Sequence, residues 1–194
     1  MIPGRSGLTV ALALALSIDY SAQASDDVPV VHVKIIDYSQ AGANLVVARE
    51  ELRKIYERAG IRLLMSMTYG PQPTIQDVVQ IVVLSGPMSE SMRMADRLPR
   101  TVLGHAGIAA RRVYVFYDRI VEDTAQQNRA VMLGRVMAHE LGHVLIGRPG
   151  HSLEGLMQAG LSSYAPFSPL LLAEQVQAIR ARLLSPRSLA RTVE

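Results

Sequence analysis

The sequence predicts a mixed α/β domain built on a mostly parallel sheet, and three stretches carry that expectation. Residues 30–36 are a β-branched, apolar run, residues 61–67 read as a second strand, and between them lies an amphipathic stripe of Leu45, Ala48, Leu52, Ile55, Tyr56 and Ala59. Strand, helix and strand in that order imply a right-handed crossover and a parallel pair. Residues 78–84 are apolar almost without interruption, as suits a strand in the middle of a sheet with both faces buried.

Taken in order, the chain opens on a stretch to be set apart from the fold. Arg5 precedes an apolar run over residues 8–16, and Ala22-Gln23-Ala24 supplies the small-x-small pattern of a signal-peptide cleavage site, so export with cleavage after Ala24 is expected. The run is about half the ~20 apolar residues that span a bilayer. No stable membrane anchor is therefore expected, and the product should be secreted or periplasmic. Residues 25–185 suit a single domain, followed by a flexible tail over 186–194.

Gly60 stands where the first helix should stop, after the spacing of three and four that marks its buried face. Tyr69-Gly70-Pro71-Gln72-Pro73 reads as a turn, and residues 85–99, with three Met, two Pro and mixed charge, as an irregular surface segment. A short strand over 101–106 and a clearer one over 112–117 follow, the second rich in Val, Tyr and Phe. Thr124 and Gln127 have the spacing of a capping box, which predicts a helix over 125–146 that ends at Gly147. Its apolar residues surround it on all sides, the mark of a central buried helix. A loop over 148–169 leads to a last amphipathic helix over 170–184, with Leu172, Val176, Ile179 and Leu183 on its apolar line.

Composition removes several functional classes. The chain has no cysteine, which excludes disulfides, thiolate metal sites and a cysteine nucleophile. Arginine supplies most of the basic charge, but it is scattered, and the net charge is only +3. A nucleic-acid reader concentrates such residues in a stripe with interleaved aromatics, so nucleic acid is not an expected partner.

The residues that carry chemistry lie on the buried helix. His139 and His143 are four apart and share one face, so their imidazoles can converge on one zinc ion. Glu140, next to the first, can reach a zinc-activated water without binding the metal and act as general base. Ligands and a charged residue inside an apolar helix are costly unless something satisfies them. A catalytic zinc takes three protein ligands, and His151, beyond Gly147 and Gly150, is placed to return as the third. Glu174 and Glu154 are the alternatives, because a His2Glu set coordinates zinc equally well.

Here the chain resembles the metzincin clan of zinc peptidases, and in particular its small secreted bacterial members. The resemblance maps the ligands onto His139, His143 and His151, the base onto Glu140, the helix-ending glycine onto Gly147, and the methionine floor beneath the metal onto Met157. It maps a substrate-binding edge strand onto Leu103-Gly104-His105-Ala106. It implies a metzincin-like mixed, mostly parallel twisted sheet with an active-site helix and a C-terminal helix. Two intervals depart from the clan's pattern: the glycine falls four residues after His143 rather than three, and the third histidine eight rather than six.

The resulting expectation is a Zn2+-dependent metalloendopeptidase acting on an extended peptide or protein substrate. The alternatives are a gluzincin-type peptidase with Glu174 as third ligand, and an exported non-catalytic binding protein with a peptidase-like fold. Tyr164 is a candidate to contact a tetrahedral oxyanion, and His32 has no metal spacing.

Overall fold

The computed structural model describes residues 28–68, 78–161 and 170–185. The leader over 1–24, the turn at 69–73, Tyr164 and the tail over 186–194 lie outside the described residues.

Five strands form one sheet in the order β2-β1-β3-β5-β4. β1 (Val30–Asp37) pairs in parallel with β2 (Arg62–Thr68) on one side and with β3 (Val78–Leu84) on the other. β3 pairs in parallel with β5 (Arg112–Phe116), and β4 (Gly104–Gly107) closes the far edge antiparallel to β5. The apolar run of β3 thus lies at the centre of the sheet.

Strand alternation divides the buried residues between the two faces. Val79, Ile81 and Val83 of β3 join the main core with α1 (Ala43–Arg58) and α4 (Arg129–Ile146), while Val82 and Leu84 join a smaller cluster with Ile36 and Phe116 on the opposite face. Gln80 also faces that second side, where its Oε1 accepts a hydrogen bond from Arg112 Nε at 3.0 Å. α1 buries the stripe Leu45, Ala48, Leu52, Ile55 and Tyr56 against α4, as its spacing predicts.

Four differences from the sequence reading have local causes. Residues 85–99 hold a helix, α2 (Gly86–Ala95): Pro87 sits in its first turn, where the missing N–H costs nothing, so proline starts this helix rather than breaking it. Tyr117 leaves β5 to begin a short helix, α3 (Tyr117–Asp123). The capping box at Thr124 does not form, because Thr124 is extended and buried at the end of α3; a single 3-10 turn over Gln126–Asn128 follows, and α4 begins at Arg129. The last helix, α5 (Ala173–Leu183), begins three residues later than expected and keeps Ile179 fully buried.

No helix of the described residues is long and apolar enough to cross a membrane.

Candidate metal centre

α4 carries the first half of the site through the middle of the core. Of its residues only Arg129, Val131, Arg135 and Ile146 escape burial. The Tyr56 hydroxyl, itself buried on α1, donates to the carbonyl of Ala138 at 2.9 Å, which ties the helix to its neighbour one residue before His139. Tyr56 reads in sequence as one more apolar position of a stripe, and only the packing reveals this polar role.

Three histidines converge at the open side of α4. The ring centroids of His139, His143 and His151 stand 4.8, 5.2 and 5.0 Å apart, close to an equilateral triangle. Their nitrogens offer one ligand atom each within 4.8 Å of one another. Nε2 of His143 lies 3.1 Å from Nε2 of His139. Two imidazole nitrogens bound to one tetrahedral ion at ~2.0–2.1 Å are separated by roughly 3.4 Å, so the pair needs little adjustment to accept zinc. Glu154 and Glu174 are both exposed and do not join this cluster.

The tautomer of His139 is set from outside the helix. Its Nδ1 lies 2.7 Å from the carbonyl oxygen of Leu156, which can only accept; Nδ1 therefore carries the proton and Nε2 presents a lone pair to the centre. Met157 follows directly, 1% exposed, and packs against the helix at Gly142. A side chain at Gly142 would fall on the Met157 sulfur, so the glycine makes room for the methionine against the helix that carries the two histidines.

The lengthened interval after His143 is taken up by one turn. Gly147 ends α4 in the left-handed region at φ 77°, its N–H bonded to the His143 carbonyl at 2.9 Å. Arg148, Pro149 and Gly150 then carry the chain outward and back to His151, which is exposed at the mouth of the site. Beyond it, Ser152 N–H donates to the Met157 carbonyl at 2.9 Å and closes the loop on itself.

The electrostatics follow from burial. Glu140, 8% exposed, has its carboxyl pushed up to about 8 by desolvation. His143 is pushed down to about 4, first by burial and then by the neighbouring histidines. His139 is lowered by burial, against the opposing effect of its bond to Leu156. Both helical imidazoles are therefore neutral near pH 7, the form that binds a metal ion. Two neutral imidazoles whose Nε2 atoms face each other, beside a buried carboxyl, make a donor set that one divalent cation would satisfy.

A cleft of about 420 Å³ opens over the histidines. Leu103, Gly104, His105 and Ala106 line one wall, although the regular strand begins only at Gly104. Leu103 precedes it and accepts from Phe116 N–H at 2.9 Å. Gly104 passes so close to the helix that a Cβ there would lie 2.6 Å from Glu140 Cγ. Among the described residues β4 pairs only with β5, which leaves its outer edge open to the cleft. His32 is exposed on β1, far along the sheet from this group.

Sheet, central helix and C-terminal helix together make a metzincin-like fold. The chain is similar in fold to archaemetzincin from Methanopyrus kandleri: the two superpose with a TM-score of 0.57 over 79% of this chain and 95% of that one, at 13% sequence identity. No family model and no curated protein matches the sequence.

Proposed function

We propose that the protein is a zinc metalloendopeptidase that hydrolyses peptide bonds in an extended substrate. The observation that carries this reading is the convergence of three imidazoles beside a buried carboxyl, at the foot of a cleft with an open strand edge. His139, His143 and His151 would hold a zinc ion, which when bound would supply Lewis acidity toward the scissile carbonyl and the attacking water. Beside a cation the ionised form of Glu140 is favoured, against the burial that raises it. Glu140 takes the proton of the attacking water and passes it to the leaving amine. His139 stays oriented through the Leu156 carbonyl. The outer edge of β4 pairs with substrate backbone, which supplies affinity without reading side chains. The fold shared with archaemetzincin supports the same reading.

The test compares zinc-loaded wild type with Glu140→Ala on a mixed peptide library. Glu140→Ala is expected to keep its zinc and to lose turnover by about 10²–10⁴-fold, the range of a general base. Equal turnover in both would remove Glu140 from the reaction. Zinc-loaded wild type that cleaves nothing would favour a non-catalytic binding protein.

Export belongs to the same proposal and rests on Arg5, the apolar run over 8–16 and Ala22-Gln23-Ala24. N-terminal sequencing of secreted material is expected to begin at Ser25; a mature protein that still begins at Met1 would count against it.

A further inference from the structure

The third histidine poses a problem that the first two do not. His139 and His143 are placed by helix geometry, but His151 is exposed and follows a turn in which Gly147 and Gly150 both have positive φ. Such a segment has many conformations open to it, and a ligand on it binds well only if its position is settled beforehand.

Helix α5 reaches the segment at both ends. At the near end Arg182 lies over Gly147, and its Nη1 donates to the carbonyls of Leu145 at 3.2 Å and Val144 at 3.4 Å. These belong to the last turn of α4, whose carbonyls lack helical partners, and a cation there also complements the helix dipole. A side chain at 147 would occupy the place of the guanidinium. At the far end Gln175 Nε2 donates to Ser152 Oγ at 3.2 Å, one residue after His151. Ser152 Oγ donates in turn to the Glu154 carbonyl at 2.7 Å. The other atom of the same amide, Gln175 Oε1, accepts from Leu172 N–H at 2.9 Å, so the side chain is held at the start of α5.

We propose that α5 is a clamp that positions His151: Gln175, through Ser152, and Arg182, through the end of α4, fix the two ends of the segment that carries it. The proposal rests on the reading of His151 as a metal ligand. Gln175 and Arg182 are positioning residues and touch neither metal nor substrate. The clamp also gives the long interval between His143 and His151 a physical basis, since the extra residues form a turn with a holder at each end.

The test is a zinc titration of the full chain against a competing chelator, in wild type and in Gln175→Ala, Ser152→Ala, His151→Ala and the double variant His151→Ala/Gln175→Ala. Gln175→Ala and Ser152→Ala are each expected to weaken zinc binding about 3- to 10-fold, at or below the low end of what losing a partner outside the ligand set costs. The loss from Gln175→Ala is expected to vanish in the His151→Ala background, because the residue acts only through that ligand. Glu174→Ala, one residue away and exposed, is expected to bind like wild type. Ser152→Ala leaves the Gln175–Leu172 bond intact, so it carries the test even where Gln175→Ala unfolds α5. Wild-type affinity in folded Ser152→Ala and Gln175→Ala would overturn the clamp and leave the three-histidine reading standing. The same loss with and without His151 would overturn it too, by showing a general effect on the fold. Wild-type affinity in His151→Ala would overturn both readings. Because the readout is affinity, none of these results depends on whether peptides are cleaved.

Discussion

His139 and His143 are 5% and 7% exposed on an 18-residue helix, whereas His151 lies in the open on a loop that follows Gly147 and Gly150. The first pair is held by backbone hydrogen bonds along α4, by the Tyr56 bond to Ala138 and by the Leu156 bond to His139. The third depends on contacts from a separate helix at each end of its loop. A buried helix gives position at the cost of desolvation, which shows in the displaced ionisation of Glu140 and His143. A surface loop avoids that cost and must have its order supplied from outside. The difference teaches that one candidate metal site can combine a half that is rigid and strained in charge with a half that is solvated and adaptable.

Ligand removal gives the largest expected effect on this comparison. His143→Ala is expected to lower zinc affinity by more than the ~100-fold that marks the upper cost of losing an outer partner, and His151→Ala to lower it less, because its place is open to water or a neighbouring side chain. Glu154→Ala and Glu174→Ala are expected to leave affinity unchanged. Competition with a chelator measures all four, and loss confined to Glu174→Ala would replace the three-histidine set by the His2Glu alternative.

A pH series on protein stripped of metal probes the helical half. Burial raises Glu140 from 4.5 to about 8, so the folded state holds a proton that the unfolded state releases. Its contribution is complete below about 4.5 and is lost as pH rises towards 8. His143, lowered from 6.5 to about 4, acts in the opposite sense: its contribution is complete above 6.5 and is lost as pH falls towards 4. Between 4.5 and 6.5 the two oppose one another. The Tm of the stripped protein is therefore expected to decline from pH 6.5 to 8, and Glu140→Gln to remove most of that decline. Parallel profiles would mean that Glu140 is solvated and the helical half is not strained as argued.

The smallest effect concerns the contact between Gly142 and Met157. Gly142→Ala places a methyl group on the Met157 sulfur, and the flexible thioether has room to give only in part. A loss of about 1–3 kcal/mol is expected in denaturant unfolding, the usual cost of overpacking. Restoration by Gly142→Ala/Met157→Ala would locate the strain at this contact, and an unchanged midpoint in Gly142→Ala would separate Met157 from the helix.

Much of this was legible in the chain itself. The periodicity of residues 45–59, the apolar run of β3 and the Gly147 stop are local signals, and local signals survive without tertiary context. The i, i+4 pair His139 and His143 is of the same kind, because a helix places them together whatever surrounds it. The sequence misled where two local signals competed: Pro87 reads as a breaker until its place at a helix start is known, and Thr124 reads as a cap until the end of α3 buries it.

By itself, then, the sequence determined the strand and helix succession of the core, the helical ligand pair and the carboxyl beside it, since each depends on residues within one or two turns of chain. Tertiary structure alone decided that His151 rather than Glu154 or Glu174 gathers with that pair, that the Leu156 carbonyl orients His139, and that Gln175 and Arg182 meet the loop. Those contacts join residues 8 to 38 positions apart through turns of positive φ and side-chain hydrogen bonds. No periodicity records such contacts, because their geometry comes into being only when α5 packs against the end of α4.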